Sequence, residues 1–140
     1  MEIDKNGNKF WRNAKGELHR EDGPALVNVD GTKEWHINGK YHREDGPAIE
    51  FFDGSKEWWV NGKYHREDGP AVEYNNEVKI WYINGTRHRE DGPALEYADG
   101  TTRHFLNDVY YTIEEFLETR DWPDAQKVEF YLRWKSNSFC

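Results

Sequence analysis

One heptapeptide, His-Arg-Glu-Asp-Gly-Pro-Ala, occurs four times in this chain of 140 residues, at 19–25, 42–48, 65–71 and 88–94. Successive copies are 23 residues apart, so the period is constant. A fixed period of this length is typical of an array in which each repeat is one small unit that packs against its neighbours. The repeat therefore restricts the fold to a stack of similar units before any secondary structure is assigned.

Each unit extends beyond the heptapeptide, because three copies are preceded by Trp-x-x-Asn-Gly. The tryptophans of these copies are Trp35, Trp58 and Trp81. In the first copy Trp11 lies eight residues before His19, where the other copies use seven, so we expect one extra residue in its hairpin. A degenerate fifth unit has His104 in the tryptophan position and Tyr111 in the histidine position. Terminal units of an array are often atypical because they have a neighbour on one side only.

Glycine usage predicts the structure of each unit. Of the twelve glycines, eleven follow Asn or Asp. Asn-Gly or Asp-Gly between apolar residues is the strongest short-range signal for a β-hairpin, because both central residues of a type I′ turn need a positive φ. Around the turn at 53–54 we predict strands over 48–52 and 56–60, then a second turn at 61–62 and a strand over 63–65.

The predicted fold is mainly β. It is an elongated, twisted antiparallel sheet of tandem hairpins over residues 1–111, with a C-terminal pair of short α-helices over 112–140 as a cap. The period-2 alternation places each repeat tryptophan on the same side as the Val or Ile two residues later, where we expect these rings to form the core. Trp59 and Tyr82 point the other way and are predicted to lie on an exposed binding face.

The C-terminal segment predicts two helices. Thr112 and Glu115 form a capping-box pattern, which predicts a short helix over 113–119. The run at 121–124 is typical of a second helix start, with an end expected near Lys135. Its predicted apolar stripe consists of Ala125, Val128, Tyr131, Leu132 and Trp134. We expect the helices to pack over the open end or over one face of the sheet.

These residues resemble the MORN repeat, a hairpin unit with an aromatic residue, Asn-Gly-Lys, His and a Gly-containing turn. The Asp-Gly-Pro-Ala form resembles a variant found in bacteriophage and bacterial proteins, and the exit over 107–116 is similar to the way such arrays end. The resemblance covers residues 9–116. It implies a protein-binding scaffold encoded by a phage, which acts on a host or viral protein in the host cytoplasm. Lipid binding is not expected, because Arg-Glu-Asp replaces a short Gly-containing segment of the ordinary repeat.

Composition argues against several other functions. Lys+Arg 19 against Asp+Glu 27 gives a net charge of −8, which disfavours binding to nucleic acid or anionic lipid. The longest uncharged apolar run, 80–83, is far shorter than the roughly 20 residues of a membrane span. The start at 1–4 lacks the layout of a signal peptide, so we expect a cytoplasmic protein. Cys140 is the single cysteine, so neither a disulfide nor a cysteine zinc site is expected.

The repeated His-Arg-Glu-Asp tetrad is the candidate for chemistry. Adjacent copies are predicted to lie about 10 Å apart, two strand spacings, so a row of imidazole and guanidinium groups could bind anions. The candidate residues of this row are His42, Arg43, His65, Arg66, His88 and Arg89. The structural alternative is that each arginine pairs with Glu or Asp of its own or the next unit while the histidine donates to a turn carbonyl. Imidazoles at this spacing cannot share an ion, so no metal site is predicted.

Two functions from different classes stay open at this point. The first is a non-enzymatic protein-binding module with an unidentified partner, using the extended surface that repeat arrays create. The alternative is a protein that sequesters an anionic small molecule, such as a signalling nucleotide, through the His-Arg row. Edge-to-edge pairing of two arrays would give a homo-oligomer. No catalytic residue or cofactor is predicted, because an enzyme needs one asymmetric site and the polar cluster here occurs four times.

Overall fold

The computed structural model describes residues 1–136 and shows a mainly β protein of consecutive hairpins that ends in two short helices. Within this range there are seventeen strands. They are β1 Glu2–Ile3, β2 Lys9–Phe10, β3 Leu26–Val27, β4 Lys33–Glu34, β5 His36–Ile37, β6 Lys40–Tyr41, β7 Ile49–Glu50, β8 Lys56–Glu57, β9 Trp59–Val60, β10 Lys63–Tyr64, β11 Val72–Glu73, β12 Lys79–Ile80, β13 Tyr82–Ile83, β14 Thr86–Arg87, β15 Leu95–Glu96, β16 Thr102–Leu106 and β17 Val109–Tyr111. The helices are α1 Ile113–Glu118 and α2 Asp124–Trp134.

Eleven of the strands form one long antiparallel sheet, in the order β1-β2-β3-β4-β7-β8-β11-β12-β15-β16-β17. Each full repeat contributes two strands, so successive units lie side by side. Lysine and glutamate alternate across the sheet: Glu50 faces Lys56, and Lys56 faces Glu73. Opposite charges on directly paired positions stabilise a sheet and fix its register. The adjacent row on the other face contains the buried Ile49 and Val72, and the buried Glu57 is paired with both of them.

The strand predicted over 56–60 is divided in two. Its first half, β8, lies in the long sheet, whereas its second half, β9, pairs with β10 in a separate two-stranded sheet. Trp58 lies at the division, where its N–H donates to the C=O of Ala71 at 2.7 Å and its C=O accepts from the N–H of His65 at 3.1 Å. The same division gives the hairpins β5–β6 and β13–β14, so a row of small hairpins stands beside the long sheet.

The two kinds of glycine turn differ in conformation. At Asn61-Gly62 both residues have a positive φ, 51° and 78°, as a type I′ turn requires. At Asp53-Gly54 the glycine alone has a positive φ, 90°, and its N–H donates to the C=O of Phe51 at 3.0 Å. This is a type I turn followed by a left-handed glycine, so the hairpin prediction is confirmed but the type I′ assignment is wrong for Asp-Gly.

The first unit absorbs its extra residue in its turn. The His19 N–H donates to the Trp11 C=O at 3.0 Å, which is the bond that His42 makes to Trp35 at 3.1 Å in the next copy. The chain between them closes through Gly16, which has a φ of 83°. The expected insertion therefore changes the turn and leaves the position of the tryptophan unchanged.

The helices begin and end close to the predicted positions, and the capping box at Thr112 is present. The packing face of α2 agrees with the prediction in part, because Tyr131 and Trp134 of the predicted stripe pack against the buried cluster. Its buried residue is Phe130, whereas Val128 and Leu132 of the predicted stripe are 57% and 60% exposed. The face with the large rings, Phe130 and Trp134, packs inward because it buries more apolar area. Neither helix is long and apolar enough to span a membrane.

Candidate functional site

Each tetrad arginine lies between a tryptophan ring and a glycine. The guanidinium carbon of Arg66 is 3.9 Å from the centre of the Trp58 ring, a cation–π contact. A Cβ at Gly69 would come within 2.9 Å of the same carbon, so a larger residue here would displace the guanidinium group. The other copies of this cation–π contact, at 3.9 to 4.0 Å, are Arg20 on Trp11, Arg43 on Trp35 and Arg89 on Trp81.

Hydrogen bonds within the loop complete the arginine's environment. Arg66 donates from Nε to Asp68 at 3.0 Å and from Nη1 to the C=O of Pro70 at 3.0 Å. The same Nη1 lies 3.3 Å from a carboxylate oxygen of Glu73. The predicted pairing is confirmed: the arginine pairs with Asp68 of its own loop and with Glu73 of the next unit. The guanidinium group holds its loop together and is 22% exposed at the side chain.

The tetrad histidines connect each unit to the next. His42 Nδ1 accepts a hydrogen bond from the backbone N–H of Asn61 at 3.0 Å, and His65 accepts from Asn84 at the same distance. The prediction that these histidines donate to a turn carbonyl is wrong. The N–H of the first residue in a two-residue hairpin turn has no partner within its hairpin, so the neighbouring imidazole supplies the acceptor. The other nitrogen, Nε2 of His42, faces Glu44 at 3.6 Å.

The tetrad loops form four acidic ridges. We call them ridge loops 1 to 4, and they comprise residues 19–24, 42–47, 65–70 and 88–93. In ridge loop 3 the side chains of Glu67 and Asp68 are 83% and 88% exposed, whereas His65 beneath them is 19% exposed. In ridge loop 1 the hydrogen bond from Arg20 lowers the pKa of Asp22 below its ordinary value. Each ridge therefore directs carboxylates to solvent and keeps its cation underneath.

Three equivalent grooves lie between successive ridge loops of the described residues. Their floors are Trp35 and Ile37 in groove 1, Trp58 and Val60 in groove 2, and Trp81 and Ile83 in groove 3. Their volumes are 730, 720 and 760 Å³ in the same order. The floor tryptophans are half-buried, so the prediction that they form the core is met only in part: Trp81 packs against a buried cluster that includes Leu95 and Phe105. The core under each groove consists of small and branched side chains, such as Ala71 and Val72.

The fourth position of this row, next to ridge loop 4, is closed. Its floor consists of His104 and Leu106, which are 1% and 8% exposed. The rings of Phe116 and Phe130 lie 4.9 and 5.6 Å from the His104 ring and cover it. A cavity of 160 Å³ is left, lined in part by Asp91 and Phe130. Burial lowers the pKa of His104 to about 4.

Trp59 and Tyr82 lie on the opposite side of the small hairpins, in a continuous row of rings. Trp59 is 5.1 Å from Tyr41 and 3.9 Å from Tyr64, and Tyr64 is 4.8 Å from Tyr82, measured between ring centres. All four rings are half-buried. Burial is the largest cause that raises the pKa of Tyr64. Trp59 and Tyr82 thus already stack with neighbours, and their predicted role in binding stays a prediction.

The spacing between tryptophan and arginine is a sequence signal for the arginine contacts. In three units the arginine follows the tryptophan by eight residues, as Arg66 follows Trp58, and Thr112 occupies that place after His104. The repeat contains no sequence signal for the closure of the fourth position by Phe116 and Phe130.

Within residues 1–136 no group of three or more His, Cys, Asp or Glu is placed to hold a metal ion. Cys140 lies outside the described residues.

No protein-family model matches the sequence, and no curated protein is significantly similar to it.

Proposed function

We propose that the chain is a non-enzymatic protein-binding repeat module whose contact surface is the row of grooves 1 to 3. The observation that carries the proposal is the contrast between these grooves and the fourth position. The floor and the preceding ridge loop are repeated at all four positions, yet three positions keep 720 to 760 Å³ open above an apolar floor, while the two helices cover the fourth. Concave apolar floors with polar rims are typical of surfaces that receive a partner's side chains.

The polar chemistry of the ridges favours a protein partner over an anion. The guanidinium of Arg43 stacks on Trp35 and donates from Nε to Asp45 and from Nη1 to the C=O of Pro47, so these two nitrogens are engaged within the loop. The groups that reach solvent are carboxylates, such as Glu44 at 82% exposure, and these repel anions. The small-anion alternative stays a prediction with less geometric support.

The repetition of the polar cluster supports the proposal that the protein is not an enzyme. His42, Arg43, His65 and Arg66 make the same bonds in each copy, and catalysis needs groups whose surroundings differ. Because the repeat resembles a variant found in bacteriophage proteins, we propose that the partner is a host or viral protein in the host cytoplasm.

Charge reversal on the ridges tests this function. The full chain is immobilised and used to capture proteins from a bacterial lysate, beside the variant Glu21→Lys/Glu44→Lys/Glu67→Lys. These side chains are 82 to 85% exposed, so the fold is expected to persist, which circular dichroism checks. The control is Glu118→Lys on the exposed side of α1, away from grooves 1 to 3. We expect a partner that the wild type and control retain and that the triple variant loses about tenfold or more. Equal capture by all three proteins, or no captured protein, would overturn the proposal.

A further inference from the structure

The segment that closes the fourth position shows which chemistry fits this site. Phe130 of α2 lies over the floor, 5.6 Å from His104, and it stacks on Phe116 at 5.4 Å between ring centres. Both phenylalanines belong to one buried cluster with Leu106, the floor residue in the Val or Ile position. Phe116 follows His104 by twelve residues, as Pro70 follows Trp58, so α1 stands where a fifth ridge loop would lie. The ring of Phe130 from α2 is therefore the element that covers a floor of the kind left open in grooves 1 to 3.

Arginines accompany both phenylalanines and lie against ridge loop 4. Arg120 follows Phe116 by four residues, and its guanidinium is 3.7 Å from a carboxylate oxygen of Glu90. Arg133 follows Phe130 by three residues and lines the same small cavity as Asp91. Phe130 and Arg133 lie three apart in α2 and therefore share a helix face, whereas Arg120 lies beyond the end of α1 at Glu118. The α2 pair thus presents a ring and a cation together.

The open grooves have the same acceptors without such a cation. Glu67 and Asp68 of ridge loop 3 occupy the positions of Glu90 and Asp91 in ridge loop 4. Glu67 is 83% exposed, against 70% for Glu90 beside Arg120. Adjacent ridges repeat about every 10 Å, two strand spacings, so a helix of roughly 10 Å diameter would lie across the rims and place its side chains in the groove. The rims and the width of an open groove thus complement a helix that carries a ring and a cation.

We infer that grooves 1 to 3 each take a helical segment of the partner that carries an aromatic residue and an arginine three or four positions later. The ring enters above the Trp and Val or Ile floor, and the arginine pairs with the exposed Glu of the adjacent ridge. This inference rests on the proposed function and specifies the chemistry of the partner.

A designed peptide tests the inference on the full chain. The probe is an alanine-based helical peptide of 18 to 20 residues with Phe and Arg four positions apart, a length at which such peptides are partly helical. Its controls have Phe→Ala, Arg→Gln, or the two residues spaced by two, which puts them on different helix faces. Binding is followed by NMR through the indole N–H signals of the ¹⁵N-labelled protein, assigned by single tryptophan substitutions.

The expected result is a saturable shift of the Trp35, Trp58 and Trp81 signals, with Trp122 unchanged. Phe→Ala in the peptide weakens binding about tenfold or more, through lost apolar burial. Arg→Gln in the peptide, or Glu44→Gln/Glu67→Gln in the protein, weakens it about three- to tenfold. Glu118→Gln in the protein, the matched control, leaves the affinity unchanged.

Equal binding of the peptide with two-residue spacing, or floor signals that do not move, would overturn the inference. If the floor signals stay fixed while the lysate partner still depends on the ridge glutamates, the helical ligand is wrong and the protein-binding function stands. If the lysate capture is also independent of those glutamates, both proposals fail.

Discussion

Groove 2 and the fourth position share one backbone and differ in what covers their floors. At groove 2 the N–H of Arg43 donates to the C=O of Trp59 at 3.1 Å, and at the fourth position the N–H of Arg89 donates to the C=O of Phe105 at 3.2 Å. In groove 2 the floor tryptophan is covered by an arginine of its own unit. At the fourth position the floor histidine is covered by rings that come from the C-terminal helices.

The difference shows how a repeat can leave a surface open. Arg66 stacks on Trp58 and satisfies its hydrogen bonds within its own loop, so the unit is complete without a covering element. His104 has Thr112 in the place of that arginine, and its ring is buried by apolar side chains. Local polar contacts thus stabilise the open units, whereas apolar burial stabilises the closed end.

The largest predicted effect concerns the closed end. Phe116 is fully buried, so Phe116→Ala is expected to lower the free energy of unfolding by about 3 to 5 kcal/mol, through lost burial and a cavity. Urea unfolding followed by fluorescence measures it. The matched control is Phe52→Ala, at a side chain that is 70% exposed, where we expect a change below about 0.5 kcal/mol. Similar losses for the two variants would remove the distinction between the closed end and the rest.

The next largest predicted effect is a pH dependence of the free energy of unfolding, which arises at the closed end. Burial holds the pKa of His104 at about 4 in the folded chain, against 6.5 for an exposed histidine. As the pH falls, the unfolded chain therefore takes up a proton at His104 before the folded chain does. The contribution of neutral His104 to the free energy of unfolding is complete above pH 6.5 and is lost as the pH falls toward 4. The expected loss is about 3 kcal/mol. Unfolding of the wild type and of His104→Gln is compared at pH 7 and pH 4.5. Parallel pH profiles would contradict the prediction.

A smaller effect is predicted in the open units. Gly69→Ala places a methyl group against the Arg66 guanidinium, which must then leave Trp58. We expect a loss of about 1 to 3 kcal/mol from the cation–π contact and the loop hydrogen bonds. In an Arg66→Ala background the same glycine change is expected to cost less than about 0.5 kcal/mol, which a double-mutant cycle of urea unfolding shows. An equal cost in both backgrounds would mean that the glycine serves the backbone and not the arginine.

The repeat made much of the array predictable. The Asn61-Gly62 turn, the hairpins and the capping box at Thr112 each follow from local sequence, because turns and caps depend on few neighbouring residues. The division of the strand at Trp58 did not follow from local sequence. The N–H of Trp58 bonds to the C=O of Ala71 in the next unit, and the sequence of a single unit does not identify that partner. Local pattern is therefore informative within a unit and weak between units.

The candidate site was less predictable than the fold. The heptapeptide identified the ridge residues. The direction of the hydrogen bond at His42, however, depends on the backbone N–H of Asn61 in the next unit, which has no partner within its own hairpin. The inward face of α2 could not be chosen from spacing alone, because Val128 and Leu132 offer a stripe as regular as that of Phe130 and Trp134. Which grooves stay open depends on where the helices pack, and the tertiary structure decides this.

Thiol accessibility of the groove floors tests the central contrast most directly. In a Cys140→Ser background, single cysteines replace the equivalent floor residues Ile37, Val60, Ile83 and Leu106, and their rates of reaction with a thiol reagent are measured in the native protein. The account predicts similar rates, within about twofold, for the three open grooves and a rate at least about tenfold slower at Leu106→Cys, whose reaction needs local opening of the helices. A cysteine at 106 that reacts as fast as the others would contradict it.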